Sequence, residues 1–341
     1  MKIAMVVPSL KNTAPNNLAF SICKYGKKNN IDIDLFYLDK TDNYVLDLDI
    51  KAKLLDNRTI LDNYDIIHSH GLRPDLINIM ANKNIIKVST IHSFITDDLK
   101  NRYGLKGYLI ALFWLKLLKK FNSCIAISKS AGNFYIKNNV KCYHIYNGVD
   151  FKKFNTNRKR SYSNSEKEIK IVTIAHLEKI KGLEQLLYLA ALKKNVHVHI
   201  IGEGSHRKKL LDLIIKLDIS ERVVLHGYLN NASSYLDDFN VYVQPSLSEG
   251  FGIAVIEALA AKIPTVCSDI EVFRELFNSN EVDFFKLNDI ESLFNAVARA
   301  AQKSNIEIDR AAISVYKRFS SEVMSLNYIK WYKKLYEEKN F

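Results

Sequence analysis

The chain has 341 residues, 48% of them apolar and 25% charged, a length and balance that suit two globular α/β domains with substantial cores. Lysine and arginine total 49 against 37 acidic residues, a formal net charge of +12 that favours polyanionic company: nucleic acid, an anionic membrane face or phosphorylated ligands. Four widely spaced cysteines, Cys23, Cys124, Cys142 and Cys267, form no C-x-x-C pair and no zinc pattern, which speaks against a zinc module and fits buried thiols in a reducing cytosol.

The opening MKIAMVVPSL offers too short an apolar stretch before Pro8 for a signal peptide. No segment approaches the ~20 apolar residues of a membrane span, so a cytoplasmic location is expected. KIAMVVP reads as a strand, a helical pattern runs from about Asn17 to Lys28, and IDIDLFYL reads as the next strand. Further strands are expected at YDIIHSH, IIKVSTIH, SCIAIS and KCYHIYNGV with helices between them, the alternation of a doubly wound parallel sheet. This first domain covers 1–150. The polar, basic stretch 151–168 breaks the pattern and reads as a linker.

Beyond it the alternation restarts with IKIVTIA, the helix LEQLLYLAALKK, VHVHIIG, a helix from Arg207 to Leu217 and RVVLHG. A short helix near Ser233, NVYVQPS, a helix from Ile253 to Ala261 and TVCSD follow, giving a second such domain over 169–321. The closing segment 322–341 is an aromatic-rich amphipathic helix expected to pack back on the first domain. Two such halves predict a ligand cleft between the carboxyl ends of their sheets.

The most informative stretch is QPSLSEGFGIAVIEALAAKIPTV, where a strand ends at Pro245, a glycine-bearing loop follows and a helix opens near Ile253. Gly250 and Gly252 allow close backbone approach, so the loop and helix N-terminus can offer N–H groups to phosphate or sugar oxygens. Glu249 in the loop and Glu257 on the helix are acceptors suited to sugar and ribose hydroxyls.

This stretch resembles the signature of the family-4 retaining glycosyltransferases of GT-B fold, matching in order as P-S, S-E-G-F-G, E-A-L-A and P-T-V. Other segments resemble the same family in sequence order: HSHG (68–71), TIH (90–92), AISKSA (126–131), NGVD with Phe154, KGLEQLL from Lys181, IGEG from Ile201 and LHGYL from Leu225. The resemblance implies an α/β GT-B architecture, two Rossmann-like domains facing each other across a cleft. It implies transfer of a hexose or N-acetylhexosamine from a nucleotide sugar, UDP-linked by our expectation, to a lipid-linked or oligosaccharide acceptor with retention of configuration. Bacterial members suggest surface polysaccharide assembly, O-antigen or capsule.

By the same resemblance Glu249 contacts the donor sugar, Glu257 the ribose, and backbone around Gly250, Phe251 and Gly252 the phosphate. Lys181 supplies positive charge to the diphosphate leaving group, and fixed cations aimed at developing negative charge lower such barriers. Gly204, Gly227 and His176 join the donor side. His92 ends its strand beside the transferred sugar; Ala14, Pro15, Asn16 and His70 lie on the acceptor side. Neither metal nor cofactor is implied, and Asp237-Asp238 reads as helix surface.

The chain departs from the family pattern where Ala175-His176 replaces a usual Gly-Arg, and where Lys262 replaces a usual glycine. A histidine there offers one ring donor, and its charge near neutrality depends on its surroundings. One segment concerns the partner: Gly104 to Phe121 joins an apolar body to Lys106, Lys116, Lys119 and Lys120. It reads either as an interfacial helix on an anionic membrane or as a buried helix with a basic end. Two rival functions stay open, a nucleotide-sugar epimerase of the same fold and a non-catalytic nucleotide or sugar binder. Nucleic acid is not an expected partner, because aromatics are not interleaved with the basic residues.

Overall fold

The structure, a computed structural model, describes residues 1–41, 50–55, 58–154, 168–229 and 232–340. Most of the expected linker, 155–167, lies outside the described residues. The chain divides into two compact units, Met1–Gly148 with Phe319–Phe341, and Val149–Arg318.

The first unit is built on strands β1 (Lys2–Ser9), β2 (Asp32–Asp39), β3 (Ala52–Leu54), β4 (Ile66–His70), β5 (Ile86–Ile91), β6 (Ser123–Ala126) and β7 (Cys142–His144). They form one parallel sheet in the order 3-2-1-4-5-6-7. Helices α1 (Ala14–Lys28), α2 (Leu72–Met80), α3 (Ile95–Leu118) and α4 (Lys129–Lys137) make the crossovers. Helix α1 opens three residues before the expected Asn17, because Pro15, whose fixed φ suits a first turn, extends it backwards. Ser128 caps α4 by accepting from Ala131 N–H, at 3.2 Å. Strand β7 stops well short of KCYHIYNGV: at Gly148 the chain runs against the backbone of Ser320 and Ser321, where an added Cβ would come within 2.8 Å.

The second unit repeats the plan with β8 (Ile169–Ile174), β9 (Val196–Ile201), β10 (Val223–Gly227), β11 (Val241–Gln244), β12 (Thr265–Ser268) and β13 (Asp283–Phe285). Their order is 10-9-8-11-12-13, again parallel. Its helices are α5 (Glu184–Leu192), α6 (Arg207–Lys216), α7 (Ile253–Ala260), α8 (Glu271–Leu276), α9 (Ile290–Ala301) and α10 (Asn305–Phe319). The last helix, α11 (Ser321–Asn340), belongs to the first unit, where Met324, Tyr328 and Tyr332 join Ile3, Met5, Ile22 and Ile66 in the core. In each sheet the order reverses beside the first strand, between β1 and β4 and between β8 and β11. In doubly wound sheets ligands gather at the carboxyl edge there.

Candidate active site

In the second unit the loops leaving β8, β9 and β10 zip together through their backbones. Leu177 N–H donates to Glu203 O (3.0 Å), and Gly202 N–H to Gly227 O (2.8 Å). Gly204 makes this approach possible, since a Cβ there would lie 2.4 Å from Leu177 O. Its contribution, and that of Gly227, is thus visible in how the loops pack. His176 stands exposed in the β8 loop, and its ring has no partner among the described residues.

The next loop carries Lys181. The short turn Lys179–Lys181 ends at Gly182, in the left-handed region (φ +61°), where a Cβ would lie 2.3 Å from Pro245 O. A side chain would therefore hold the turn off the end of β11. With glycine the two seat together: Leu247 N–H donates to Ile180 O (2.8 Å) and Gln185 Nε2 to Pro245 O (2.9 Å). The result is an ion pair 2.7 Å long between Lys181 Nζ and Glu249 Oε1, largely shielded from solvent. The same oxygen accepts from Ser246 Oγ (2.9 Å) and Gln244 Nε2 (3.3 Å). Three donors fix one oxygen of the carboxylate, while Oε2 keeps its acceptor capacity, with no partner among the described residues.

Glu257, on α7, is half-buried and bonded to none of the described residues. Burial pushes its carboxyl up to about 7, against the pull of the Lys153 charge. A shielded carboxyl without a partner is costly unless a ligand satisfies it. Gly252 caps α7, whereas Phe251 is buried at 2% exposure, so its side chain serves packing. Gly250 and Phe251 are both engaged with the surrounding fold. Lys262 adopts φ +56°, the conformation a glycine takes most easily, and pairs with Asp309 at 2.8 Å. Asp237 and Asp238 are exposed in the turn Ala232–Asp238, as surface residues.

In the first unit, β4 and β5 run in register with His70 beside Thr90, which sets His92 next to His70. His70 Nδ1 lies 3.0 Å from His92 Nε2, and His70 Nε2 lies 3.1 Å from Met5 Sδ. His68, one pleat deeper, meets Tyr332 OH (2.5 Å) through Nδ1 and Thr90 Oγ1 (2.8 Å) through Nε2; Tyr328 OH lies 3.1 Å from that Thr90 oxygen. Burial lowers His68 to about 3 and His92 to about 4, and holds His70 well below the usual histidine range. All three imidazoles are neutral at physiological pH.

Ala14, Pro15 and Asn16 form the first turn of α1, whose cap residue Thr13 makes no side-chain hydrogen bond. Asn16 is buried, donates from Nδ2 to Lys11 O (2.8 Å) and leaves Oδ1 without a partner. Ala14 is exposed, Pro15 only partly so. Sequence reasoning missed the Gln244, Ser246 and Gln185 contacts and the two tyrosines of α11. Gln244 and Ser246 were findable as same-face positions flanking Pro245, but no local signal ties Tyr332 to a histidine 264 residues away.

Residues 36–153 match the model of Glycosyltransferase Family 4, and residues 154–318 that of Glycosyl transferases group 1. The chain is 30% identical to the O-antigen biosynthesis glycosyltransferase WclY of Escherichia coli, over 99% of both chains. It belongs to glycosyltransferase family 4. This family 4 glycosyltransferase is also 31% identical, over 61% of its length and 59% of the relative's, to a Campylobacter jejuni enzyme. That enzyme is named N-acetylgalactosamine-N,N'-diacetylbacillosaminyl-diphospho-undecaprenol 4-alpha-N-acetylgalactosaminyltransferase. Among solved structures, Anabaena HepE in complex with UDP and glucose superposes with a TM-score of 0.79 at 15% identity, over 98% of this chain and 99% of that one. Sucrose-phosphate synthase from Thermosynechococcus elongatus gives 0.79 at 16% identity, over 99% and 100%. The fold they share with the family 4 chain is GT-B, two parallel-sheet α/β domains.

Proposed function

We propose that the chain transfers a hexose or N-acetylhexosamine from a UDP-sugar to a lipid-linked or saccharide acceptor, with retention of configuration, in surface polysaccharide assembly. The observation that carries this reading is the Lys181–Glu249 pair, together with the unpartnered Glu257, in the unit matched by the group 1 model. Support comes from the WclY relatives named for O-antigen biosynthesis, from the diphospho-undecaprenol acceptor in the Campylobacter enzyme's name, and from HepE solved with UDP and glucose.

In this reading Lys181 neutralises the departing diphosphate, and amides at the α7 N-terminus around Gly250 and Gly252 add dipoles to the same task. Glu249, pinned through Oε1, accepts sugar hydroxyls at Oε2, and Glu257 accepts from the ribose. His176, Gly204 and Gly227 line the donor side. His92 bonds a hydroxyl near the reacting carbon with the buried His70 behind it, and the first turn of α1 (Ala14, Pro15 and Asn16) serves the acceptor. The acceptor attacks on the face from which the nucleotide leaves, through an oxocarbenium-like transition state, so no carboxylate forms a covalent bond.

The acceptor class bears on location. No helix among the described residues is long and apolar enough to cross a membrane. Helix α3, kinked at Gly104, buries Gly107, Ala111, Leu115 and Leu118 yet exposes Leu105, Leu109, Leu112 and Phe113. Lys106 at one end and Lys116, Lys119 and Lys120 at the other flank that apolar face, which suits an anionic bilayer at the cytoplasmic side.

The test is thermal stabilisation by a panel of nucleoside diphosphates and nucleotide sugars, in wild type and Glu257→Ala. Selective stabilisation lost in the variant supports the donor site and names the base. No stabilisation by any of them overturns the reading.

A further inference from the structure

We infer that Met5 fixes the tautomer of His92 through His70, so that His92 meets a hydroxyl-bearing substrate as a hydrogen-bond acceptor at Nδ1. The inference rests on the role given to His92 in the proposed transfer reaction, and it makes Met5 and His70 positioning residues for it.

The derivation starts at Met5, fully buried on β1. A thioether has no hydrogen to give and can only accept. His70 Nε2 lies 3.1 Å from that sulfur, closer than two facing lone pairs tolerate, so the hydrogen of His70 sits on Nε2. A neutral imidazole carries one N–H, which leaves His70 Nδ1 as an acceptor. His92 Nε2, 3.0 Å away, must then donate. His92 in turn has its lone pair on Nδ1, which has no partner among the described residues.

The other group facing His70 does not compete. His68 stacks against it with ring centroids 4.5 Å apart, but both of its nitrogens are already matched, to Tyr332 and to Thr90. The relay therefore runs in one direction, from His92 to His70 to Met5. A substrate hydroxyl that reaches His92 Nδ1 is bound as a donor, which polarises its oxygen towards greater negative charge. That hydroxyl belongs either to the donor sugar or to the attacking acceptor.

The experiment is two-bond proton–nitrogen correlation spectroscopy of the whole enzyme near neutral pH, wild type against Met5→Leu. Wild type is expected to show His70 and His92 both protonated at Nε2. Leucine keeps the volume but leaves His70 Nε2–H a buried donor without an acceptor. The reversed pair, with hydrogens on both Nδ1 atoms, gains by about tenfold to a hundredfold. The share of both histidines protonated at Nδ1 then rises, and kcat for transfer falls in proportion while affinity for the nucleoside diphosphate stays unchanged.

If the bound hydroxyl is the donor sugar's, slow donor hydrolysis without acceptor falls in parallel. If it is the acceptor's, hydrolysis is unaffected and transfer alone falls. A wild-type His92 with its hydrogen on Nδ1, or on both nitrogens, overturns the inference, and that spectrum suffices even if the variant does not fold. A variant with unaltered tautomers overturns the role of Met5. An enzyme with the derived tautomers that transfers no sugar from any donor defeats the proposed function and leaves the relay in place.

Discussion

Lys181 Nζ and Glu249 Oε1 stand 2.7 Å apart although 68 residues separate them in the chain. Their meeting depends on Gly182, whose missing side chain lets the turn after β8 rest on Pro245. The pair ties a cation to the loop that opens α7, which under the proposed function places a charge for the leaving group before substrate arrives.

Lys181→Ala is expected to lower kcat for transfer by about 10²- to 10³-fold, the usual cost of removing one preorganised group facing developing charge. Folding should change by less than ~2 kcal/mol, because Glu249 keeps Ser246 and Gln244 as donors. Steady-state kinetics alongside chemical denaturation separates the two effects. Transfer within a few-fold of wild type would remove Lys181 from the chemistry.

The proposed role of Glu257 makes donor binding depend on pH with a definite sign. Its carboxyl, raised to about 7 by burial, is protonated in the free protein below neutrality and charged above. The carboxylate is the stronger acceptor for a ribose hydroxyl. A sugar diphosphate diester has no proton to lose near neutrality, so its affinity should rise about tenfold between pH 6 and pH 8. The rise should vanish in Glu257→Gln. Calorimetry at the two pH values checks this, and an equal slope in the variant would assign the titration elsewhere.

The doubly wound alternation was legible because parallel strands read as short apolar runs, as in IKIVTI of β8 and IKVSTI of β5. Strands β3 and β13 were not, since three residues carry no readable period. In the site, the strand, glycine loop and helix around Glu249 and Glu257 occupy one continuous window and announce themselves locally. The contacts that hold them do not: Gln185 reaches Pro245 across 60 residues. Lys262 illustrates the same limit, because its φ of +56° explains a glycine preference that its sequence neighbours do not reveal. Asp75 reads as an ordinary first-turn acid of α2, the usual dipole partner, yet the structure buries it completely.

That burial has its own consequence. Asp75 accepts from Ser69 Oγ (2.7 Å) and Trp114 Nε1 (2.7 Å), and burial raises its carboxyl to about 7. The folded value exceeds the unfolded one, so the folded state binds the extra proton. This contribution to stability is full below about pH 4 and is lost as pH rises towards 7, by about 3 kcal/mol between pH 5 and 8. Asp75→Asn should remove that slope: its oxygen accepts from Trp114, while Ser69 turns its hydroxyl to Val88 O, 3.3 Å away. Urea unfolding across the range tests this, and a variant as pH-sensitive as wild type would place the titration in another group.

The exposed apolar face of α3 gives the proposed membrane contact a direct test. A helix apolar on all sides is ordinarily buried, but here Leu105 is 74% exposed, Leu109 58% and Phe113 55%. Covering those side chains with lipid contributes about 25 cal/mol per Å² of apolar surface, and each nearby lysine adds about 1 kcal/mol on an anionic leaflet. Wild type should therefore sediment with vesicles containing anionic lipid, more weakly as salt rises, and hardly at all with neutral ones. Leu109→Glu combined with Phe113→Glu should abolish sedimentation while leaving transfer to a soluble acceptor intact, because both side chains lie on the exposed face of α3. Equal sedimentation of wild type and variant, or none by either, would return this face to some other partner.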